Sequence, residues 1–177
     1  MLQETHWGEL DFLLIDLPPG TGDIHLSMVQ ALPITGAVVV STPQNVALAD
    51  ARKGVGMFQM DAIQIPVLGI VENMAYFTPA ELPDMKYYLF GKEGAQQLAH
   101  QLSVPFLGEI PLVQSIREAG DVGHPAALQP SGPNPAAFAA VAQNMIASLA
   151  DRVENLPPTE AVRITTMAGC KTKPRTV

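Results

Sequence analysis

The residues best suited to chemistry lie in one stretch, Asp16-Leu17-Pro18-Pro19-Gly20-Thr21-Gly22-Asp23, directly after the apolar run Phe12 to Ile15. A buried strand that ends in Asp puts a carboxylate where a metal-bound phosphate can lie, and such an Asp binds Mg²⁺ directly or through water. Pro18 and Pro19 would fix the direction of exit, and Gly20 and Gly22 would let backbone N–H groups approach a terminal phosphate. The plainer reading is a strand-end Asp that caps the helix beginning near Asp23. Spacing alone leaves the two readings level; the intact strand-Asp-x-Pro-Pro-Gly-Thr-Gly-Asp unit favours phosphate chemistry.

Three further segments leave apolar runs with polar side chains or turns that a plain connection does not need: Ser41-Thr42-Pro43-Gln44, Glu72-Asn73-Met74 and Glu109-Ile110-Pro111-Leu112. Asn73 offers a donor and an acceptor, which matches the N6/N7 edge of adenine, although an Asn here also suits a turn. Thr42, Pro43 and Gln44 read more simply as the lead-in to a helix. Asp50 and Lys53, three apart on a helix, form a solvated pair, and Arg117, Glu118 and Asp121 a solvated helix end. His6, His25, His100 and His124 have no metal-ligand spacing, and Trp7 reads as packing. No Ser-His-Asp order and no glycosidase-like carboxylate pair stands out.

The elements that must position these residues alternate. Asp11 to Asp16, Gly36 to Ser41, Val67 to Glu72 and Val104 to Leu107 read as buried strands, apolar without polar alternation. Between them, Leu48, Ala51, Val55, Phe58 and Ala62 form a helical stripe after a cap at Asn45, and Ala95, Leu98, Ala99 and Leu102 form a second. Asn134-Pro135 starts a third helix, buried through Phe138, Val141, Met145 and Leu149. Strands alternating with helices predict an α/β fold with a mostly parallel sheet flanked by helices. In such sheets ligands bind outside the carboxyl ends of the strands, so all four segments would line one rim. Residues 1–155 form this domain, and residues 156–177 follow as a possible edge strand, Val162 to Thr166, and a flexible basic tail.

The bulk properties exclude several classes. At 177 residues, 47% hydrophobic and 15% charged, the chain can bury a sizeable core and is too apolar for disorder. A formal net charge of -7 argues against nucleic acid as a partner, because phosphates need Lys and Arg to displace their counterions. The longest apolar run, Gly36 to Val40, is far too short to span a bilayer, so no membrane role is expected. Met1 to Leu10 carries no basic leader or apolar signal core. A single cysteine, Cys170, rules out an internal disulfide and fits a cytoplasmic location.

In order and spacing, Trp7 to Asp23, Ser41 to Phe58, Val67 to Phe77, Phe90 to Ala99 and Leu107 to Pro125 resemble the Mrp/ApbC family of iron–sulfur carrier ATPases. The PPGTGD and VENM elements together separate that group from the related MinD- and ParA-like ATPases of cell division and plasmid partition. The resemblance implies a partial P-loop NTPase domain that binds and hydrolyses ATP with Mg²⁺, forms a homodimer around nucleotide, and passes a [4Fe–4S] cluster to iron–sulfur client proteins. It makes Asp16 the Walker-B carboxylate near Mg²⁺ and places Gly20, with Pro19 beside it, in the switch segment facing the γ-phosphate. It has Asn73 contact adenine and Pro111 help wall the base pocket.

Two departures limit what the resemblance carries. The family's Gly-rich loop with its lysines, of the form GKGGVGKS, belongs well upstream of Asp11 to Asp16 and does not occur in these residues. Without its cradle and lysine charge, these residues should bind ATP poorly and hydrolyse it negligibly. Met1 is accordingly read as an artificial or mis-assigned start, and the residues as the C-terminal part of a longer domain. The family's Cys-x-x-Cys pair would fall on Pro79 and Leu82, neither of which ligates iron. The alternative function is therefore a nucleotide-dependent switch that binds partners without cluster chemistry.

Overall fold

The computed structural model describes residues 4–18, 22–79, 82, 85–129 and 133–161. Three parallel strands, β1 (Ala37–Ser41), β2 (Val67–Phe77) and β3 (Phe106–Leu112), form one sheet in that order. Helix α1 (Asp23–Ala31) precedes β1, α2 (Asn45–Gln59) joins β1 to β2, and α3 (Gly94–Gln101) lies between β2 and β3. After β3 come α4 (Gln114–Asp121), a 3₁₀ turn (Ala126–Leu128) and the long α5 (Pro133–Asn155).

The valine-rich strands work because both faces are covered. Val39 and Ile70 point to one side and pack with Ala51 and Val55 of α2 and Ala95, Leu98 and Ala99 of α3. Val38, Val71, Leu107 and Ile110 point to the other and meet Phe138, Val141 and Met145 of α5. A third cluster joins Val29 of α1 to Ala37, Met57, Phe58, Ile63 and Ile65 where β1 begins. The expected α/β class and parallel sheet are what the chain adopts, and the helical stripes form as well, except that Ala62 lies beyond the end of α2 and is exposed. Boundaries differ in detail. Gln44, not Asn45, occupies the cap of α2. Strand β2 runs on from Glu72 to Phe77, where it exchanges backbone hydrogen bonds of 2.8 Å in each direction with Tyr87. The strand expected at Val104 to Leu107 lies at Phe106–Leu112 instead.

One expected strand is absent. Asp11 to Asp16 has no strand structure, and Phe12, Leu13 and Leu14 are exposed, Leu14 at 72%. The cause is the missing neighbour: no strand pairs with this run among the described residues, so neither its N–H and C=O groups nor its side chains are withdrawn from water. The outer edge of β1 is likewise unpaired among the described residues, and Val40 there is 60% exposed. The edge strand expected at Val162 to Thr166 and the tail with Cys170 lie outside the described residues.

Helix α5 holds the sheet through backbone groups. Leu68 and Leu107 are the extra residues where the β1–β2 and β2–β3 registers shift, and each is followed by a glycine with positive φ, Gly69 (155°) and Gly108 (139°). Such bulges take a carbonyl out of the ladder. Asn144 Nδ2 donates to Leu107 O (2.9 Å) and Ser148 Oγ to Leu68 O (2.6 Å). One turn further on, the buried Arg152 donates through Nε to Thr35 O (2.9 Å) just before β1, and through Nη2 to Pro157 O (2.7 Å). A β-carbon on Gly108 would sit 3.0 Å from Val141 Cγ2, so glycine also sets how closely α5 approaches.

Candidate functional site

Because the strands are parallel, Ser41 to Gln44, Glu72 to Met74 and Glu109 to Leu112 lie toward the same end of the sheet, but only the first leaves it there: β2 continues to Phe77 and β3 to Leu112. Ser41, Glu72 and Glu109 stand side by side in register across it, and Asn73 stands beside Ile110. Three of the four expected segments are therefore brought side by side, two of them as strand residues rather than as exits from a strand. Of the fourth, Asp16 is an exposed carboxylate on the unpaired extended run, while Pro19, Gly20 and Thr21 lie outside the described residues.

Asn73 is half-buried and bends the backbone after it. Its Oδ1 accepts the N–H of Met74 at 3.0 Å, and Met74 adopts a left-handed φ of 55°. A left-handed backbone is costly for an unbranched non-glycine residue, and such strain collects where a ligand is received. With Oδ1 engaged, the amide NH₂ is what Asn73 can still present. Pro111 is buried within β3, so it backs the rim from inside rather than forming an open wall.

At the end of β1, Thr42 Oγ1 and Gln44 Oε1 lie 3.1 Å apart. Beside them a hollow of about 480 Å³ opens between α2 and α3, lined among others by Pro43, Leu48, Arg52, Lys92 and Gln97. Neither Asn73 nor Pro111 lines it, so the hollow is separate from the expected base site. The segment after Phe77 is held by aromatic contacts. Lys86 Nζ sits 3.8 Å over the ring of Tyr76, and Tyr76 meets Tyr88 edge-on at 6.3 Å. Pro79 and Leu82, at the expected cysteine positions, lie on this segment, and Leu82 is exposed. Among the described residues, no group of three or more His, Cys, Asp or Glu side chains is arranged to hold a metal ion.

The sequence reading named Glu72 and His25 without revealing their burial, and it missed the buried Arg152. Glu72, taken only as the end of a strand, is 1% exposed, and its Oε2 accepts the N–H of Ala95 at 2.5 Å. Burial pushes its carboxyl above the usual carboxylate range; the Ala95 N–H opposes this, Glu109 reinforces it, and lesser effects come from the Gln96 N–H (lowering) and Glu93 (raising). His25 is buried on α1 with no hydrogen-bond partner for Nδ1 among the described residues. A glutamate inside an otherwise apolar strand was the available signal for the first. Asp50–Lys53 and Arg117–Asp121, by contrast, are exposed pairs as expected.

The family model for the NUBPL iron-transfer P-loop NTPases, of the ParA group, matches residues 1–146. This chain belongs to that family. Among its relatives, the iron–sulfur cluster carrier protein of Synechocystis is 48% identical over 145 residues, 81% of this chain and 40% of the relative. The mouse iron–sulfur cluster transfer protein NUBPL is 45% identical over 152 residues, 84% of this chain and 46% of the relative. A nucleotide-binding protein from Archaeoglobus fulgidus, solved with ADP, superposes with a TM-score of 0.59 at 45% identity, over 67% of this chain and 47% of that one. The cell-division ATPase MinD of Pyrococcus furiosus gives a TM-score of 0.57 at 29% identity, over 77% and 52%. The chain thus spans less than half the length of these two iron–sulfur relatives. Among the described residues, no helix is long and apolar enough to cross a membrane.

Proposed function

We propose that these residues are the C-terminal part of a cytoplasmic, ATP-binding and ATP-hydrolysing iron–sulfur cluster carrier that works as a homodimer around nucleotide. The observation that carries the reading is Asn73, on β2 just beyond the level where β1 ends and directly before the left-handed Met74, in a chain that retains the DFLLIDLPPGTGD element. Asn73 contacts the adenine edge through its amide, with Pro111 behind the base pocket. Asp16, an exposed hard oxygen donor, suits Mg²⁺, which supplies charge neutralisation at the phosphates when bound. Pro19 and Gly20 belong to the segment facing the terminal phosphate. The phosphate cradle itself is absent from these residues, so the 177-residue chain alone should bind ATP weakly and turn it over negligibly. Calorimetric titration with ATP and Mg²⁺ tests this: tight binding by the chain as it stands would refute the division of labour.

The cluster is cargo, and the described residues offer it no thiolate. That observation favours a second reading, a nucleotide-dependent switch that engages partners without carrying a cluster. Anaerobic reconstitution with iron and sulfide separates the two. Stoichiometric uptake followed by activation of an apo-enzyme supports the carrier, and failure to take up iron supports the switch.

A further inference from the structure

Glu72 occupies an expensive position. It is buried on β2, on the face that carries Ile70 toward α2 and α3, and Ser41 and Glu109 flank it on the neighbouring strands. Its Oε2 takes the first-turn N–H of Ala95, while Oε1 has no hydrogen-bond partner among the described residues. Capping a helix does not require this arrangement. A Ser, Asp or Asn at the cap position would satisfy the same donors without burying a carboxylate.

What a local cap could not do is tie the helix to a strand. The residue in the cap position of α3 is Glu93, left-handed at φ 57° and making no side-chain cap bond of its own. The turn that leads into α3 is packed on the exit of β1: a β-carbon on Gly94 would lie 2.6 Å from Pro43 O, and one on Gly91 3.3 Å from it. Glu72 therefore fastens α3 to β2, and α3 through Gly94 rests on the exit of β1. The next residue along β2 is Asn73.

We propose that Glu72 is the positioning residue of the rim, clamping the exit of β1, the middle of β2 and the turn of residues 91–94 into one arrangement that presents Asn73. The nucleotide reading matters to this only for the identity of what the rim receives. The groups that face Glu72 and bear on its ionisation are Glu109 from β3 and Glu93 ahead of α3; Ser41 faces it from β1 without charge.

Amide hydrogen exchange on the 177-residue chain tests the clamp without any nucleotide, so the clamp and the nucleotide reading fail separately. In Glu72→Asp, whose carboxyl falls one methylene short, exchange at Ala95 and Gln96 should quicken about tenfold, and in Glu72→Gln, which keeps a neutral acceptor oxygen in place, by less. Gly91 and Gly94 should loosen with them while α5 stays protected. The pH profile of exchange at Ala95 should carry a carboxylate titration in the unsubstituted chain and lose it in Glu72→Gln. Unchanged protection at Ala95 and Gln96 in both variants would overturn the proposal, as would an increase spread evenly over the chain. Should Glu72→Gln fail to fold, Glu72→Asp and the pH series of the unsubstituted chain decide the matter.

Discussion

Asp11 to Asp16 and Val67 to Glu72 are two apolar runs that each end in an acid, and the molecule treats them oppositely. The second is the middle strand of the sheet, with Ile70 fully buried; the first lies exposed and without strand structure. Intrinsic preference does not separate them, because both are rich in residues that suit strands. Neighbours do: β2 has a strand on each side and helices over both faces, whereas Asp11 to Asp16 has no strand beside it among the described residues. Strand character is thus conferred by pairing and burial, and a run of leucines supplies only eligibility.

The sharpest way to break this comparison is to truncate one side chain in each run. Ile70→Ala should cost about 3–4 kcal/mol in urea denaturation, as a fully buried side chain that leaves a cavity. Leu14→Ala should change stability by no more than about 0.5 kcal/mol. A comparable loss at both positions would mean that Leu14 is packed, and the contrast would collapse. Next in size is Gly94→Ala, which must push the α3 turn off Pro43 O and should cost about 1–3 kcal/mol by the same measurement. Ser148→Ala should cost about 1–2 kcal/mol, because it leaves the bulge carbonyl of Leu68 without its donor.

The smallest effect concerns pH. Burial holds the carboxyl of Glu72 above the usual range, so the folded chain keeps a proton that the unfolded chain releases. Stability from this group is complete below the ordinary carboxylate value and is lost as pH rises through the raised one. Denaturation midpoints measured across that interval should therefore fall with rising pH, and Glu72→Gln should flatten the fall. An unaltered profile in the variant would move the effect to another carboxylate.

Much of this was legible in the residues. The valine runs, the stripes on α2 and α3 and the Asn-Pro start of α5 set the α/β class, and parallel pairing follows from their alternation. The rim was legible in part: its segments carry their own polar markers, although two of them continue as strand. Two kinds of feature were not. Whether Asp11 to Asp16 forms a strand depends on partners that no local pattern encodes. Glu72 and the polar stripe Asn144, Ser148 and Arg152 act on backbone groups, and the position of a backbone group follows from bulges and register rather than from residue type. The proposed roles of Pro19 and Gly20 rest on the family's pattern alone, and those of Asp16, Asn73 and Pro111 rest chiefly on it.

The stripe on α5 has a mechanical side. Its three side chains grip the carbonyls of Leu107, Leu68 and Thr35, one belonging to each strand or the residues just before it, so a single helix is fastened across the full width of the sheet. Tension that would peel β1 from β2 is shared with that crosspiece instead of resting on the ladder alone. Three strands whose two outer edges are unpaired among the described residues make a weak panel, and α5 is the batten nailed across its back.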